Sequence, residues 1–375
     1  MAVTRIRDRL NYKLVNRLVF ENLKHRPVRT LLSALAIGIQ VTLMLTLVGV
    51  SHGMLDDYAA HTRGTGADIM VRPQGSSLLG LAGYTMSAKF VSLIREQPHV
   101  AIATGSYLQS VGNLNSIAGI NLDEFTAMSG GFRYLEGGPF TGPDDLIVDE
   151  IYARAEHLHA GSVVNLGLKW RVSGIVEAGK QSRMFAPIGS LQDKYSATDK
   201  VSIIWVKVDD HANIQSVIDE LKAKLTDYPI YSVEEYSSLI SANSIPMLKQ
   251  FTWVVIGIGV VIGFLVVFLS MYTAVLERTR EIGILKALGA SPGYVLGILL
   301  RETVLLGIGG VIAGILMTYG SRFLLVTFVP TFTTEIVYSW WPIAAVIALI
   351  GSLIGAIYPG LKAARQDAIE ALSYD

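Results

Sequence analysis

Residues 276–292 read LERTREIGILKALGASP, and long apolar runs lie on both sides of them. Charge is concentrated here, at Glu277, Arg278, Arg280, Glu281 and Lys286. After Glu281, apolar residues fall at Ile282, Leu285 and Leu288, with Ile284 beside them, which is the spacing of a short amphipathic helix. Gly289 is placed to end that helix as a C′ residue. Ser291 is placed to cap the next helix, and Pro292 fits its first position. The stretch therefore reads as a short, capped, charged helix outside the lipid, joining two membrane helices. It is either a lever held between two spans or an interfacial loop helix with no partner.

Composition agrees with a mixed architecture. Of 375 residues, 51% are hydrophobic and 17% charged, too apolar for an ordinary soluble protein and too polar for one that is membrane throughout. The formal net charge is +0, so no bulk attraction to nucleic acid or acidic substrates is implied. There is no cysteine, which excludes disulfides, thiolate metal sites and cysteine nucleophiles. Any domain outside the cytoplasm must hold together by packing alone.

The spans follow in order. Residues 1–30 carry eight basic side chains, with Leu10, Leu14, Leu18, Val19 and Leu23 at helical spacing, and read as a cytoplasmic amphipathic helix lying on the membrane surface. A nucleic-acid-binding arm is the alternative, but it has no use for the apolar stripe. Residues 31–50 are an uncharged run of 20, long enough to span a bilayer. The run is too long for a usual signal peptide and lacks a cleavage pattern after it, so an uncleaved first span is expected. The basic flank places the N-terminus in the cytoplasm. Residues 251–276, 292–328 and 340–357 are the second, third and fourth spans, 277–291 the cytoplasmic connection, and 358–375 a cytoplasmic tail. The fold class is thus a four-span α-helical membrane protein with an α+β extracytoplasmic domain between the first two spans.

That domain, residues 51–250, shows short β-rich runs at 68–71, 107–111, 116–120, 146–148, 163–166, 170–176 and 202–208. Helical patterns cover 88–96, 150–158, 211–225 and 233–249. The Gly/Pro-rich segment 130–143 is the expected boundary between two subdomains. Residues 51–62 are expected to extend the first span outward, and 233–249 to lead as one helix into the second, together making a stalk. Glycines four apart, at Gly259/Gly263, Gly310/Gly314 and Gly351/Gly355, allow close helix approach in lipid. Some of these pairs are expected to serve a dimer.

No catalytic constellation appears. There is no phosphate-binding G-x-x-x-x-G-K-[ST] loop, no H-E-x-x-H and no G-x-S-x-G. His157 and His159 do not share a helix face and read as exposed. Asp144, Asp145, Asp149 and Glu150 read as a solvated turn and helix start. Arg301 and Glu302 raise a functional question as ionisable residues near a membrane helix, and their place near its end points to the interface. Any ATP-driven work requires a separate ATPase.

ERTREIGILKALGAS (277–291) followed by a long apolar helix resembles the cytoplasmic-loop signature of MacB/FtsX-type ABC transporter permeases. NLKHRPVRTLLSALAIGI (22–39) resembles the basic approach to that family's first span. LIVDEIYARAEHLHAGSVVNL (146–166) and WRVSGIVEAG (170–179) resemble part of its extracytoplasmic domain, and YPGLKAARQDAIEALSYD (358–375) its C-terminal tail. The resemblance implies a non-catalytic permease subunit in the bacterial inner membrane, both termini cytoplasmic and the large domain in the periplasm. It implies a second permease copy or paralogue and two copies of a cytoplasmic ATPase that binds ATP and Mg; no cofactor is held by this chain. It also admits a periplasmic adaptor and an outer-membrane channel. ATPase closure would be carried to the outside domain as mechanotransmission. The coupling residues implied are Glu277, Arg278, Glu281, Ile282, Gly283, Lys286, Ala287, Leu288 and Gly289, with Pro359, Lys362, Ala363 and Arg365 of the tail near the ATPase. Efflux or lipoprotein release is the leading role. An FtsX-like regulator of a cell-wall hydrolase, transporting nothing, is the alternative.

Overall fold

The computed structural model describes residues 27–76, 84–112, 115–240 and 246–366, with Lys24. The amphipathic helix expected over residues 1–30 lies almost wholly outside these, as does the tail beyond residue 366. The chain divides into two compact units, Met1–Ser51 with Met247–Leu325 and Thr334–Asp375, and His52–Pro246 with Val326–Thr333. Helix α1 (Pro27–Arg63) begins in the first unit and ends in the second, so the first apolar run continues as one helix beyond residue 51.

The second unit is α+β. Its elements are β1 (Ile69–Val71), β2 (Met86–Ser87), α2 (Lys89–Arg95), β3 (Val100–Gly112), β4 (Asn115–Ile120), α3 (Leu122–Ser129), β5 (Tyr134–Gly137) and β6 (Asp145–Asp149). They continue with α4 (Glu150–Ala155), β7 (Val163–Asn165), β8 (Lys169–Val176), β9 (Met184–Pro187), α5 (Ile188–Lys194), β10 (Lys200–Val201) and β11 (Ile203–Val208). The last are α6 (Ile214–Lys224), β12 (Ile230–Ser232) and α7 (Val233–Leu239). One mixed sheet runs β12-β1-β11-β3-β4-β9-β6-β8-β5, with β7 on β8, and β2 pairs β10 apart from it. The β4–β9 and β6–β8 pairs are parallel, and the others antiparallel.

Two apolar cores lie along this sheet. One gathers Ile69, Val71, Ala103, Ile204 and Val206 with Ile94 of α2 and Val217, Ile218 and Leu221 of α6. The other gathers Tyr107, Ile117, Leu146, Val148, Trp170, Val172 and Met184 with Leu191 of α5. Strand β3 is 13 residues long and passes from one core to the other between Ala103 and Tyr107. The expected boundary at 130–143 is therefore corrected. That segment holds β5, which pairs with β8 at the sheet edge, and its glycines serve local turns. Gly130, at φ 76°, closes α3 by donating its amide to the Thr126 carbonyl.

The acidic cluster also differs from a solvated turn. Asp145 and Asp149 are buried. Asp149 caps α4, accepting from the Tyr152 amide at 2.7 Å, and pairs with Arg183 at 3.1 Å. Asp145 accepts from the amides of Thr141 (2.6 Å) and Gly142 (2.8 Å) and from Arg171. Burial pushes its pKa up, but the Thr141 amide, Arg171 and the remaining donors outweigh that and hold it below the ordinary aspartate value. Its stabilising effect is present at neutral pH and is lost as pH falls through the depressed folded value. Asp145→Asn in residues 52–246 is expected to lower stability by about 2 kcal/mol at pH 7. The deficit should shrink once pH falls below about 4, the ordinary aspartate value; a thermal-melt series from pH 7 to pH 2 measures it, and a pH-independent deficit contradicts the assignment.

The first unit contains the remaining helices: α8 (Pro246–Glu277), α9 (Thr279–Ala287), α10 (Pro292–Phe328) and α11 (Trp340–Arg365). Among the described residues, four helices, α1, α8, α10 and α11, are long and apolar enough to cross a membrane. The 37 residues of α10 reach about 55 Å against a hydrocarbon core of about 30 Å. Two expectations change here. Helix α7 stops at Leu239, so residues 233–249 are not one helix, and residues 241–245 lie outside those described. Helix α11 continues through Pro359 to Arg365, so the start of the expected tail is helical.

The bundle core joins Ile37, Val41, Met44 and Leu45 of α1 to Val267, Met271 and Val275 of α8, Val295, Leu299 and Val311 of α10, and Ala344, Ala348 and Ala356 of α11. All three glycine pairs meet helices of their own chain. Side chains added at Gly310 and Gly314 would lie 2.6 Å from Ile37 Cβ and 2.7 Å from the Gly38 carbonyl. Gly259 and Gly263 face Gln40 of α1, while Gly351 faces Val260 and Gly355 the Phe264 carbonyl of α8. Packing within the chain thus engages every pair. Gly314→Leu is expected to cost about 1–3 kcal/mol by forcing α10 from α1. Gly351→Ala, with Val260 at an ordinary 3.6 Å, should be close to neutral. Melting of both variants in detergent reads the contrast; equal effects would show that the α1–α10 approach is not as close as described.

Candidate docking helix between the second and third apolar helices

Helix α9 is built by its own sequence at both ends. Helix α8 ends at Glu277, and the single residue Arg278 leaves helical geometry (φ −111°, ψ 16°) before α9 begins at Thr279. Thr279 Oγ1 donates back to the Val275 and Leu276 carbonyls at 3.1 and 2.9 Å, fixing the corner. At the far end the Leu288 and Ala290 amides donate to Ile284 and Leu285, and Gly289 adopts φ 95°. A side chain would be strained at that φ, so the glycine closes the helix. Ser291 Oγ then accepts from the Tyr294 amide at 3.3 Å and caps α10, with Pro292 at its first position.

Helical periodicity splits the expected coupling residues into two sets. Arg278, Thr279, Ile282 and Gly283 are buried, and Ile282 belongs to the bundle core. Arg280, Glu281, Ile284, Ala287, Leu288 and Gly289 are exposed, Leu288 at 81%. The apolar stripe Ile282–Leu285–Leu288 is therefore not one docking face. Residues four apart share a face, so Ile282 turns inward with Arg278, while Ile284 and Leu288 turn outward together. Lys286 is also turned into its own chain. Its ammonium donates to the Ala364 carbonyl at 3.0 Å and to the Gln366 carbonyl, at the C-terminal end of α11. There it meets the unsatisfied carbonyls and the negative end of the helix dipole.

The N-terminal end of α9 is held by charge. Glu302 of α10 is completely buried. Its Oε2 accepts from Arg278 at 3.1 Å and its Oε1 from Arg29 of α1 at 3.3 Å. Arg29 also lies 3.5 Å from Glu277. Glu302 is thus enclosed by the bundle rather than turned to its surface, because two arginines from separate elements reach it. Ionisable residues in an apolar helix were the available signal, but their partners Arg29 and Arg278 lie far away in sequence. In the former tail, Pro359 and Ala363 are buried, while Lys362 and Arg365 are exposed. Lys362 donates to the Tyr272 hydroxyl at 3.1 Å and sits over its ring.

The outward face of α9 presents two apolar side chains, Ile284 and Leu288, beside Arg280 and Glu281, on a helix fixed at both ends. Such a patch is equipped for docking a protein groove, with apolar anchors for affinity and charges for orientation.

Comparison with known proteins places this helix in context. Residues 30–224 match the MacB-like periplasmic core domain, and residues 253–368 the FtsX-like permease C-terminal domain, which includes α9. The uncharacterized ABC transporter permease YknZ of Bacillus subtilis (strain 168) is 30% identical over 225 residues, covering 56% of this chain and 54% of that protein. The macrolide export ATP-binding/permease protein MacB of Escherichia coli (strain K12) is 27% identical over 384 residues, covering 92% of this chain and 58% of that protein. The chain thus spans little more than half the length of these relatives. The crystal structure of the periplasmic region of MacB from Actinobacillus actinomycetemcomitans aligns with a TM-score of 0.36 at 18% identity, over 48% of this chain and 94% of that one. With a MacB-like domain inserted between the first and second of four apolar helices and an FtsX-like segment after it, the chain belongs to the MacB/FtsX-like family of ABC transporter permeases.

Proposed function

We propose that this permease transmits the ATP-driven motion of a separate cytoplasmic ABC ATPase to its MacB-like domain outside the membrane, for export or extraction of a substrate. Two ATPase copies and a second permease copy or paralogue complete the assembly, and ATP and Mg are held by the ATPase. Helix α9 is the coupling helix, both termini are cytoplasmic, and the second unit faces the periplasm or exterior. The observation that carries this reading is the outward face of α9, where Ile284 and Leu288 stand exposed beside Arg280 and Glu281 on a helix anchored at both ends. The relatives named for macrolide export support the export direction. The eight basic residues ahead of the first span support the orientation.

The test is co-purification of the full chain in detergent with the ABC ATPase encoded beside it. Burying a leucine is worth about 1.5–3 kcal/mol, so Leu288→Glu is expected to weaken ATPase binding by at least about tenfold. Glu281→Arg should act in the same direction, more strongly at low salt. Wild-type-like retention of the ATPase by Leu288→Glu would remove α9 as the docking element.

A further inference from the structure

We infer that Glu302 is the positioning residue of the docking helix: its buried carboxylate, shared by Arg278 and Arg29, fixes the N-terminal end of α9 to the first turn of α1. The consequence for coupling rests on the docking reading above; the positioning itself does not. Three observations carry it. Helix α9 has nine residues, and isolated helices shorter than about 12–15 residues are marginal in water. Its pose therefore depends on tertiary anchors. Its link to α8 is the one non-helical residue Arg278, a natural hinge, and that same residue carries the side chain that grips Glu302. Finally, each carboxylate oxygen of Glu302 is engaged by a different arginine, at 3.1 and 3.3 Å, from a different element. A carboxylate with 0% exposure has no water to fall back on, so its two partners are held at fixed positions relative to each other.

Arg29 stands in the first turn of α1 and also touches Glu277, the last residue of α8. Arg29, Glu277, Arg278 and Glu302 thus join α1, α8, the hinge and α10 through ion pairs. An ATPase displacing α9 would act on the base of α1 through this cluster. Without it, the hinge at Arg278 would absorb the displacement locally. Glu302 acts through the arginines and needs no contact with the ATPase.

The experiment is hydrogen exchange of the full chain in detergent, followed by ATP turnover with the co-expressed ABC ATPase. Glu302→Gln keeps the side-chain shape and removes the charge. Arg278→Gln leaves Glu302 paired with Arg29, and serves where the first variant fails to fold. In each, the amides of residues 279–287 are expected to exchange at least tenfold faster than in the wild type, with the central amides of α10 unchanged. Arg278→Lys should recover much of the protection. The variants should retain the ATPase within about twofold, because Ile284 and Leu288 are untouched, yet stimulate its turnover at least fivefold less. Unchanged exchange in both variants overturns the positioning role; raised exchange with wild-type stimulation overturns its consequence for coupling. Faster exchange in a chain whose wild type binds no ATPase would leave Glu302 positioning α9 and refute the docking reading instead.

Discussion

A fully buried carboxylate in an apolar bundle is the constraint on which the first unit depends. Removing Glu302 from water costs several kcal/mol unless opposite charges replace the lost hydration. Arg29 and Arg278 supply them, and neither lies near Glu302 in sequence. Apolar side chains tolerate sliding by a fraction of a turn; two directional ion pairs on one carboxylate do not. The register of α10 against α1, and the angle at which α8 gives way to α9, are thus fixed together.

Once the inward face of α9 is used for this anchoring, its outward face is determined. Ile282 packs into the bundle and Lys286 satisfies carbonyls at the end of α11. What remains is Arg280, Glu281, Ile284, Ala287 and Leu288. The helix is amphipathic in an unusual sense. Its buried side is mixed, with one apolar residue between two cations, and its exposed side is mixed as well. A nine-residue element bearing an 81% exposed leucine is poorly explained as a mere connection, since that leucine gains nothing from the chain's own packing.

Much of this was legible in the sequence, and the boundary of legibility has a physical origin. Gly289, Ser291 and Pro292 act on backbone a few residues away, so the ends of α9 and the start of α10 could be read directly. The four apolar helices declare themselves by length. The inward and outward faces of α9 did not, because Ile282 and Ile284 are chemically alike and only the surrounding helices distinguish them. Glu302 stands out as an ionisable residue in an apolar run, but its burial is not legible, since its partners come from residues 29 and 278. In the α+β unit α3 and α5, of eight and seven residues, escaped, although α2 and α4 are no longer and were legible. Strand β9 is four residues ending in Pro187 and owes its existence to lying between β4 and β6. The glycines of 130–143 looked like a linker because turns and linkers use the same residue; pairing of Tyr134–Gly137 with β8 decides between them.

Helix α1 shows the same device twice. Near its start, in the first unit, Arg29 is drawn to the buried Glu302. Towards its end, within the second unit, Asp57 accepts from Arg183 at 2.7 Å, and Arg183 in turn holds the buried Asp149 that caps α4. In each unit one side chain of α1 is thereby tied to an oppositely charged partner through a directional bond, buried Glu302 in the first and half-buried Arg183 in the second. A helix held only by its apolar stripe can roll or slip by one residue at little cost, because Leu, Ile and Val are nearly interchangeable in such contacts. Rolling α1 would part Arg29 from Glu302 in the one unit and Asp57 from Arg183 in the other, and each separation loses a directional ion pair. The glycine contacts with α10 add a steric stop, since Gly310 and Gly314 admit the backbone of α1 only at Ala34–Val41. Charge therefore sets the rotation of α1 and close backbone approach sets its depth. Apolar burial supplies most of the adhesion while deciding neither.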